Sequence, residues 1–339
     1  MLDVLIVSLG STGGLRSADE QLLASLQRAG VNAGIAQAAP QSPTRTLMLT
    51  DLRWAAAARR AARAELAHVQ ARALIYSTTT AALLWPAPGA IRFDSPAAAN
   101  RLGRHGLWQR PLERRRLLQA PLLLPQSEGA LLELPATVQR SLESDSALVL
   151  PVPVEPSGDF KGAGGEPTRD IAAITYAANP AKKGLDLLLD AWLQARRDGE
   201  ELLIAGVREA QLDRLGYTLP AGVRVVGMLS RGEYRALLRR ARVFVCAARR
   251  EDYGIAQLEA LADGCMLVTV PSPGPYVALP LARELDQRLV GGDLGKAMRT
   301  ALDDPSPHYQ DRATAALEPY SPAAVDRLVS ECLLPRLLS

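Results

Sequence analysis

Residues 241 to 269, ARVFVCAARREDYGIAQLEALADGCMLVT, constrain the fold more than any other stretch, because turn chemistry, helix signals and paired carboxylates converge there. Val243, Phe244, Val245 and Cys246 form a short apolar run of the kind that makes a buried parallel strand, and a polar loop, Arg249 to Gly254, follows. From Ile255 to Ala262 the residues are good helix formers. Leu258 and Leu261 supply an inward face, and Gly264 stops the helix before a second strand, Met266 to Val270. Glu251 and Glu259 are eight residues apart, which puts the first on the loop at a strand's carboxyl end and the second one turn into the helix. Both can face one crevice. Ligands of open α/β sheets bind in that position, and the amides of Gly254, Ile255 and Ala256 would point there from a helix N-terminus suited to phosphate. Taken alone, a loop Glu and a helix Glu are usually solvated surface residues.

The whole motif is more specific than its carboxylates. Glu251, Asp252, Tyr253 and Gly254, then Glu259, Ala260, Ala262 and Gly264, stand between two apolar strands. This resembles the signature of the retaining GT-B glycosyltransferases of family 4, in which Met266 would usually be Pro. The resemblance implies that Glu259 hydrogen-bonds the ribose hydroxyls of a sugar nucleotide and that Glu251 holds hydroxyls of the donor sugar.

A chain of 339 residues is long enough for two domains with full cores, and 48% hydrophobic with 22% charged residues describes a globular protein. Leu2 to Leu9 is too short and lacks the basic flank of a signal peptide, and no run reaches membrane-spanning length. Cys246, Cys265 and Cys332 are odd in number, widely spaced and set in apolar surroundings, so they read as reduced core residues of a cytoplasmic protein without a metal site.

Leu2 to Leu9 predicts the first strand, with Gly10 to Gly14 as a loop before a helix from about Ser17 to Ala29, ended by Gly30. The spacing of that loop is not G-x-G-x-x-G, which lowers a plain dinucleotide reading. By resemblance, Gly13 and Gly14 line the cleft near the donor phosphates and the acceptor. Asp51 to Arg72 predicts an Ala-rich helix with Asp51 as N-cap, Ala73 to Ser77 a strand with a loop from Thr78, and Ile91 to Phe93 another strand. Relatives carry a His close to that strand end, on the acceptor side. His68, His105 and His308 are the only histidines here, and the first two are expected at the surface. Asp94 is therefore the acceptor-side candidate, or else a strand-end cap.

Between Asp51 and Arg116 stand twelve Arg against the acids Asp51, Glu65, Asp94 and Glu113, with Trp54 and Trp108 among them. The segment suits peripheral contact with an anionic membrane or an anionic acceptor, while an arginine-rich solvated face is routine in a chain with only four Lys. Nucleic acid is excluded as a partner, because basic residues are not interleaved with stacking aromatics, which make up only 4% of the chain.

Pro121 to Pro125 and Ala147 to Val154 are extended, and the Gly- and Pro-rich residues 156–168 form a linker. The pattern then restarts with a strand at Ile171 to Tyr176 and a helix at Leu185 to Ala195. By resemblance, Lys183 before Gly184 neutralises the leaving diphosphate, and Asn179 stands approximately where the family has an Arg. An amide does not replace a bidentate guanidinium, which leaves Lys182, Arg249 or Arg250 to compensate. Leu202 to Gly206 and Val223 to Gly227 are strands. Arg231 to Arg240 is a helix with Ser230 as N-cap and Glu233 completing a capping box. The resemblance places Met228 and Leu229 at the nucleobase. Pro271 to Pro275 departs from the family's glycine-rich turn, and Pro335 is expected to break the final helix, Pro322 to Leu338.

The expected architecture is α/β of GT-B type, two Rossmann-like domains facing a central cleft. An N-terminal acceptor-side domain covers 1–155 and a nucleotide-sugar domain 169–315, and a helical segment, 316–339, crosses back onto the first. The implied activity is transfer of a sugar from a UDP- or GDP-linked donor to the hydroxyl of a sugar, lipid-linked or small-molecule acceptor, with retention of configuration and no metal. It would take place in the cytoplasm of a bacterial-type cell, or at the inner face of its membrane. Lys183 and the amides near Gly14 and Gly254 would stabilise the departing diphosphate, which itself accepts the acceptor's proton. A nucleotide-sugar epimerase or phosphorylase of the same fold, and an inactive GT-B binding or scaffold protein, share these features.

Overall fold

Val4 to Val7 have no polar residue among them, and all four are buried, as a strand covered on both faces requires. In the computed structural model, which describes residues 1–42, 44–143, 145–158 and 168–338, this strand is an interior strand of a parallel five-stranded sheet. Its strands are β1 (Leu2–Ser8), β2 (Ala33–Gln37), β3 (Ala71–Tyr76), β4 (Ala90–Phe93) and β5 (Leu123–Pro125), in the order β2-β1-β3-β4-β5. A second parallel sheet contains β6 (Ile171–Tyr176), β7 (Leu202–Ala205), β8 (Val223–Gly227), β9 (Ala241–Cys246) and β10 (Met266–Thr269), in the order β10-β9-β6-β7-β8.

The chain divides into two compact units, Met1–Pro153 with Tyr320–Ser339, and Val154–Pro319. In the first, alternation along β1 sends Leu5 and Val7 into one apolar layer with Tyr76, Phe93, Ala58 and Ala62. Val4 and Ile6 enter the other, with Leu22 and Leu26 of the helix Gly13–Arg28 and with Val325, Val329 and Leu333 near the C-terminus. Each such side chain contributes about 1.5–3 kcal/mol on burial, so the last twenty residues are part of this core. Pro335 does not break the terminal helix. The chain widens into a π turn over Val329–Leu333, across which the amide of Leu334 bonds to the carbonyl of Val329, and continues as helix through Leu334–Leu338 with Pro335 in it.

Local structure differs from expectation at three helix starts. The first helix begins at Gly13, not near Ser17, because the Thr12 side chain accepts from the amide of Leu15 and caps it. The second runs Leu47–Leu66 with Thr46 as cap. Asp51 lies inside it and is buried against Arg101, Nε to Oδ2 2.7 Å. Thr78 caps a short helix, Thr79–Ala82, rather than opening a loop. Of the expected linker, residues 159–167 lie outside the described residues, as does the side chain of His105, while His68 is exposed. Among the described residues no helix is long and apolar enough to cross a membrane.

Candidate functional site

In the second unit the chain adds β7 and β8 on one side of β6 and then crosses to add β9 and β10 on the other. The carboxyl ends of β6 and β9 therefore flank a topological switch point, where open α/β sheets leave a crevice for ligands. The loop after β6 delivers Lys183, and the loop after β9 delivers Glu251. Lys183 Nζ lies 2.5 Å from Glu251 Oε2, with the side chains 21% and 7% exposed. Gln257, in the helix Ile255–Ala262, donates from Nε2 to the same carboxylate oxygen at 2.9 Å and to Cys246 Sγ at 3.0 Å. Beneath this group a crevice of about 10 Å³, lined by Thr175, Tyr176 and Cys246 among others, holds no more than one water. A ligand of Lys183 and Glu251 must approach from their outer side.

A second set of charges borders the first. Asp252 accepts from Lys182 Nζ at 2.7 Å and from Arg250 Nε at 2.8 Å. Burial alone would raise its pKa, but the two cations outweigh burial and hold the carboxyl below its ordinary value. Arg249 forms a bidentate pair with Asp186, at 2.8 and 2.5 Å. Asn179 is exposed, and its Oδ1 accepts from the backbone amide of Lys182 at 3.0 Å, so its side chain shapes the loop.

Glu259 is buried one turn into the helix and faces a different neighbour. Arg231 donates from Nε to Glu259 Oε1 at 3.1 Å, and Arg235 lies 3.5 Å from the same oxygen. Arg235 is itself buried and bridges to Asp263 and to the carbonyl of Glu155 at 2.7 Å. Its pKa is raised: burial alone would lower it, and Asp263 and Glu259 prevail. Met228 and Leu229 immediately precede the Ser230 cap of the helix Arg231–Arg240, whose capping box with Glu233 is formed as expected. Met228 is exposed and Leu229 half-buried.

Two glycines set the backbone of these loops. Gly184 has φ 63°, and a Cβ there would stand 2.0 Å from the carbonyl oxygen of Ala247, so the β6 and β9 loops touch backbone to backbone. Gly254 has φ 93° and is the left-handed N-cap of the helix, beneath the ring of Tyr276. Ile255 follows as the first helical residue and is half-buried.

In the first unit, Gly13 and Gly14 are exposed and open the helix after β1, beside the switch point between β1 and β3. Nothing lies within 4 Å of a Cβ built on Gly13, so packing does not require glycine there. Asp94 ends β4 half-buried, and its Oδ1 accepts from the amide of Ser95 at 2.8 Å. That contact is to the next residue in the chain, and the helix that follows, Ala97–Asn100, has Pro96 as its N-cap.

Of the residues singled out by sequence, Lys183 and Glu251 are paired, and Gly254 and Ile255 open the helix that carries their partner Gln257, while Glu259 is engaged separately with Arg231 and Arg235. Sequence reasoning missed Gln257, Arg231 and the twofold engagement of Asp252. Gln257 had a readable signal: it is the third residue of a helix, and helical side chains point back toward the N-terminus. The partner of Glu259 had none, since Arg231 lies 28 positions away.

Residues 169–301 match the family model described as glycosyl transferases group 1. Among solved structures, the chain is similar to HepE of Anabaena in complex with UDP and glucose, with TM-score 0.67 and 13% identity over 98% of this chain and 99% of that one. It is similar to WaaG, a glycosyltransferase involved in lipopolysaccharide biosynthesis, with TM-score 0.70 and 13% identity over 97% and 99%. It is also similar to sucrose-phosphate synthase of Thermosynechococcus elongatus, with TM-score 0.65 and 17% identity over 95% and 96%. No curated protein matches it by sequence. At these identities the structural likeness speaks for fold, and the family match for the second unit. The fold of the chain is that of the GT-B α/β structures, and residues 169–301 are similar to the glycosyl transferases group 1.

Proposed function

We propose that the protein is a retaining glycosyltransferase that moves a sugar from a UDP- or GDP-linked donor to the hydroxyl of a sugar, lipid-linked or small-molecule acceptor. The observation that carries this reading is the Lys183–Glu251–Gln257 group at the β6/β9 switch point of a group 1 glycosyltransferase domain. Lys183 supplies positive charge where a diphosphate leaving group gathers negative charge, and the amides after Gly254 add a helix N-terminus. Glu251 positions the donor sugar and Glu259 the ribose. Gly13, Gly14 and Asp94 serve the acceptor side, and Met228 and Leu229 border the base. Asn179 contributes through the shape of the phosphate loop. No metal is needed when lysine and amides carry this charge. HepE, with UDP and glucose bound, lends support to a nucleotide-linked donor.

One observation favours an inactive GT-B binding protein instead. Lys182, Lys183, Arg249 and Arg250 are all ion-paired within the chain, and a diphosphate must compete with those carboxylates. A thermal-shift panel of UDP, GDP, ADP and their sugar conjugates separates the two. A nucleotide at 100 times its dissociation constant adds about 2.7 kcal/mol and raises the melting temperature by several degrees. The transferase reading expects one nucleotide to do so, the shift to shrink in Glu259→Ala, and the conjugate to be turned over when acceptor is added. No shift from any nucleotide overturns it.

A further inference from the structure

Six of the twelve exposed large apolar side chains among the described residues fall in two short segments of the first unit. Leu47, Leu49 and Leu52 lie in the opening turns of the helix Leu47–Leu66, and Leu102, Leu107 and Leu118 lie in and around the helix Gln109–Gln119. Leu102 and Leu107 are the most exposed of these, at 67% and 63%. The two segments adjoin. The helix Leu47–Leu66 packs against the turn Gly103–Gly106, and Asp51 ties to Arg101 across it.

The charge of this surface has one sign. Residues 45–60 and 101–119 hold ten arginines and two acids, and both acids are buried. Asp51 pairs with Arg101, and both oxygens of Glu113 accept from the amide of Ala97 at 2.9 Å. What faces outward is Arg45, Arg53, Arg60, Arg104, Arg114 and Arg115. On the helix Gln109–Gln119, Pro111, Arg114, Arg115 and Leu118 are exposed at helical spacing, continuing a stripe that starts at Leu107. Trp54 and Trp108 are half-buried in the same segments. Arginine interleaved with exposed leucine and flanked by tryptophan is the chemistry of a lipid–water interface: aliphatic side chains enter the acyl boundary and guanidinium groups pair with lipid phosphates. A nucleic acid would call for exposed aromatic faces, and the exposed apolar groups here are leucines.

We propose that this face of the first unit docks on an anionic lipid surface, with Leu102 and Leu107 entering the interface and Arg104, Arg114 and Arg115 holding lipid headgroups. The proposal is independent of the reaction performed by the second unit. It is tested on the full chain by co-sedimentation with vesicles of phosphatidylcholine alone and of phosphatidylcholine mixed with phosphatidylglycerol. Wild type should sediment with the mixed vesicles only, and less so as salt rises. Arg114→Ala with Arg115→Ala should weaken binding on the order of thirtyfold, about fivefold per arginine. Leu102→Glu with Leu107→Glu should abolish it at an unchanged melting temperature, because both side chains are already in water. Leu187→Glu, at an exposed position of the second unit, should leave binding intact. Equal binding to neutral vesicles, no binding, or binding indifferent to these substitutions overturns the proposal. So does a dimer in light scattering that Leu107→Glu dissolves, which would assign the face to a second copy of the chain.

Discussion

Lys183 and Glu251 stand 68 positions apart in sequence, yet the ammonium nitrogen of one lies 2.5 Å from a carboxylate oxygen of the other. Each occupies the first loop beyond its strand, and β6 and β9 are neighbours in register from Ile171↔Ala241 to Ile174↔Phe244. The pairing therefore follows from strand order. It also separates stability from catalysis. Lys183→Ala should lower turnover about 100-fold or more if the lysine stabilises a leaving phosphate, and should cost about 1–3 kcal/mol because Glu251 is left buried without its cation. Adding Glu251→Gln should restore much of the melting temperature and none of the turnover. Turnover recovering in step with stability would show that the pair is structural.

The contact of Gly184 with Ala247 predicts a steric defect. Gly184→Ala must place a methyl 2.0 Å from a carbonyl oxygen and hold an L-residue at φ 63°, so it should destabilise the second unit by about 3 kcal/mol or more. Gly232 lies inside the helix Arg231–Arg240 with nothing within 4 Å of its would-be Cβ. Gly232→Ala should instead stabilise by about 0.5 kcal/mol. Denaturant unfolding of the two variants reads the contrast directly.

Two buried aspartates should give pH slopes of opposite sign. Asp252 has a folded-state pKa below its unfolded value, so the unfolded chain binds the extra proton. Its contribution is present above about pH 4 and is lost as pH falls through the folded value. Asp19, buried beside Arg92 at 3.7 Å and bonded to Ser8 at 2.5 Å, has a raised pKa, because burial outweighs Arg92. Its folded form holds the proton longer, and stability falls as pH rises through the window above its unfolded value. Melting temperature followed from about pH 3 to pH 7 should lose part of its acid-side rise in Asp252→Asn and part of its opposing slope in Asp19→Asn. Slopes of the same sign in both variants would refute the assignment.

The C-terminal helix should be held by burial more than by charge. Leu333 is fully buried among Val4, Ile6 and Leu26, and Leu333→Ala is expected to cost about 2–4 kcal/mol. Asp326 makes a bidentate pair with Arg28, at 2.7 and 2.8 Å, but the carboxylate is 30% and the guanidinium 52% exposed. Asp326 also accepts from the buried Ser25 hydroxyl, so the ion pair is tested at its exposed end, where screening by water should limit Arg28→Ala to about 1 kcal/mol or less. Chemical denaturation of the two variants ranks the terms, and a larger loss from Arg28→Ala would reverse the account.

Secondary structure was most legible where local rules are strongest. The strands at Ile171–Tyr176 and Val223–Gly227 and the helices Leu185–Ala195, Arg231–Arg240 and Ile255–Ala262 begin and end where apolar periodicity, capping residues and glycine placed them. Helix starts failed where a nearer cap competed. Thr46 displaced Asp51 because Asp51 found Arg101, a partner fifty residues away, and so became a buried ion instead of a cap.

The sequence by itself determined the α/β alternation and the loops on which the chemistry-bearing residues sit, because periodicity and turn chemistry are read within a few neighbouring residues. Only the tertiary structure decided which charges meet. Gln257 turns to Glu251, Glu259 is taken by Arg231, and two cations converge on Asp252. These outcomes depend on strand order and on the competition of several arginines for few buried carboxylates. A charge has no directional preference strong enough to name its partner until the backbone has brought the candidates within a few ångströms.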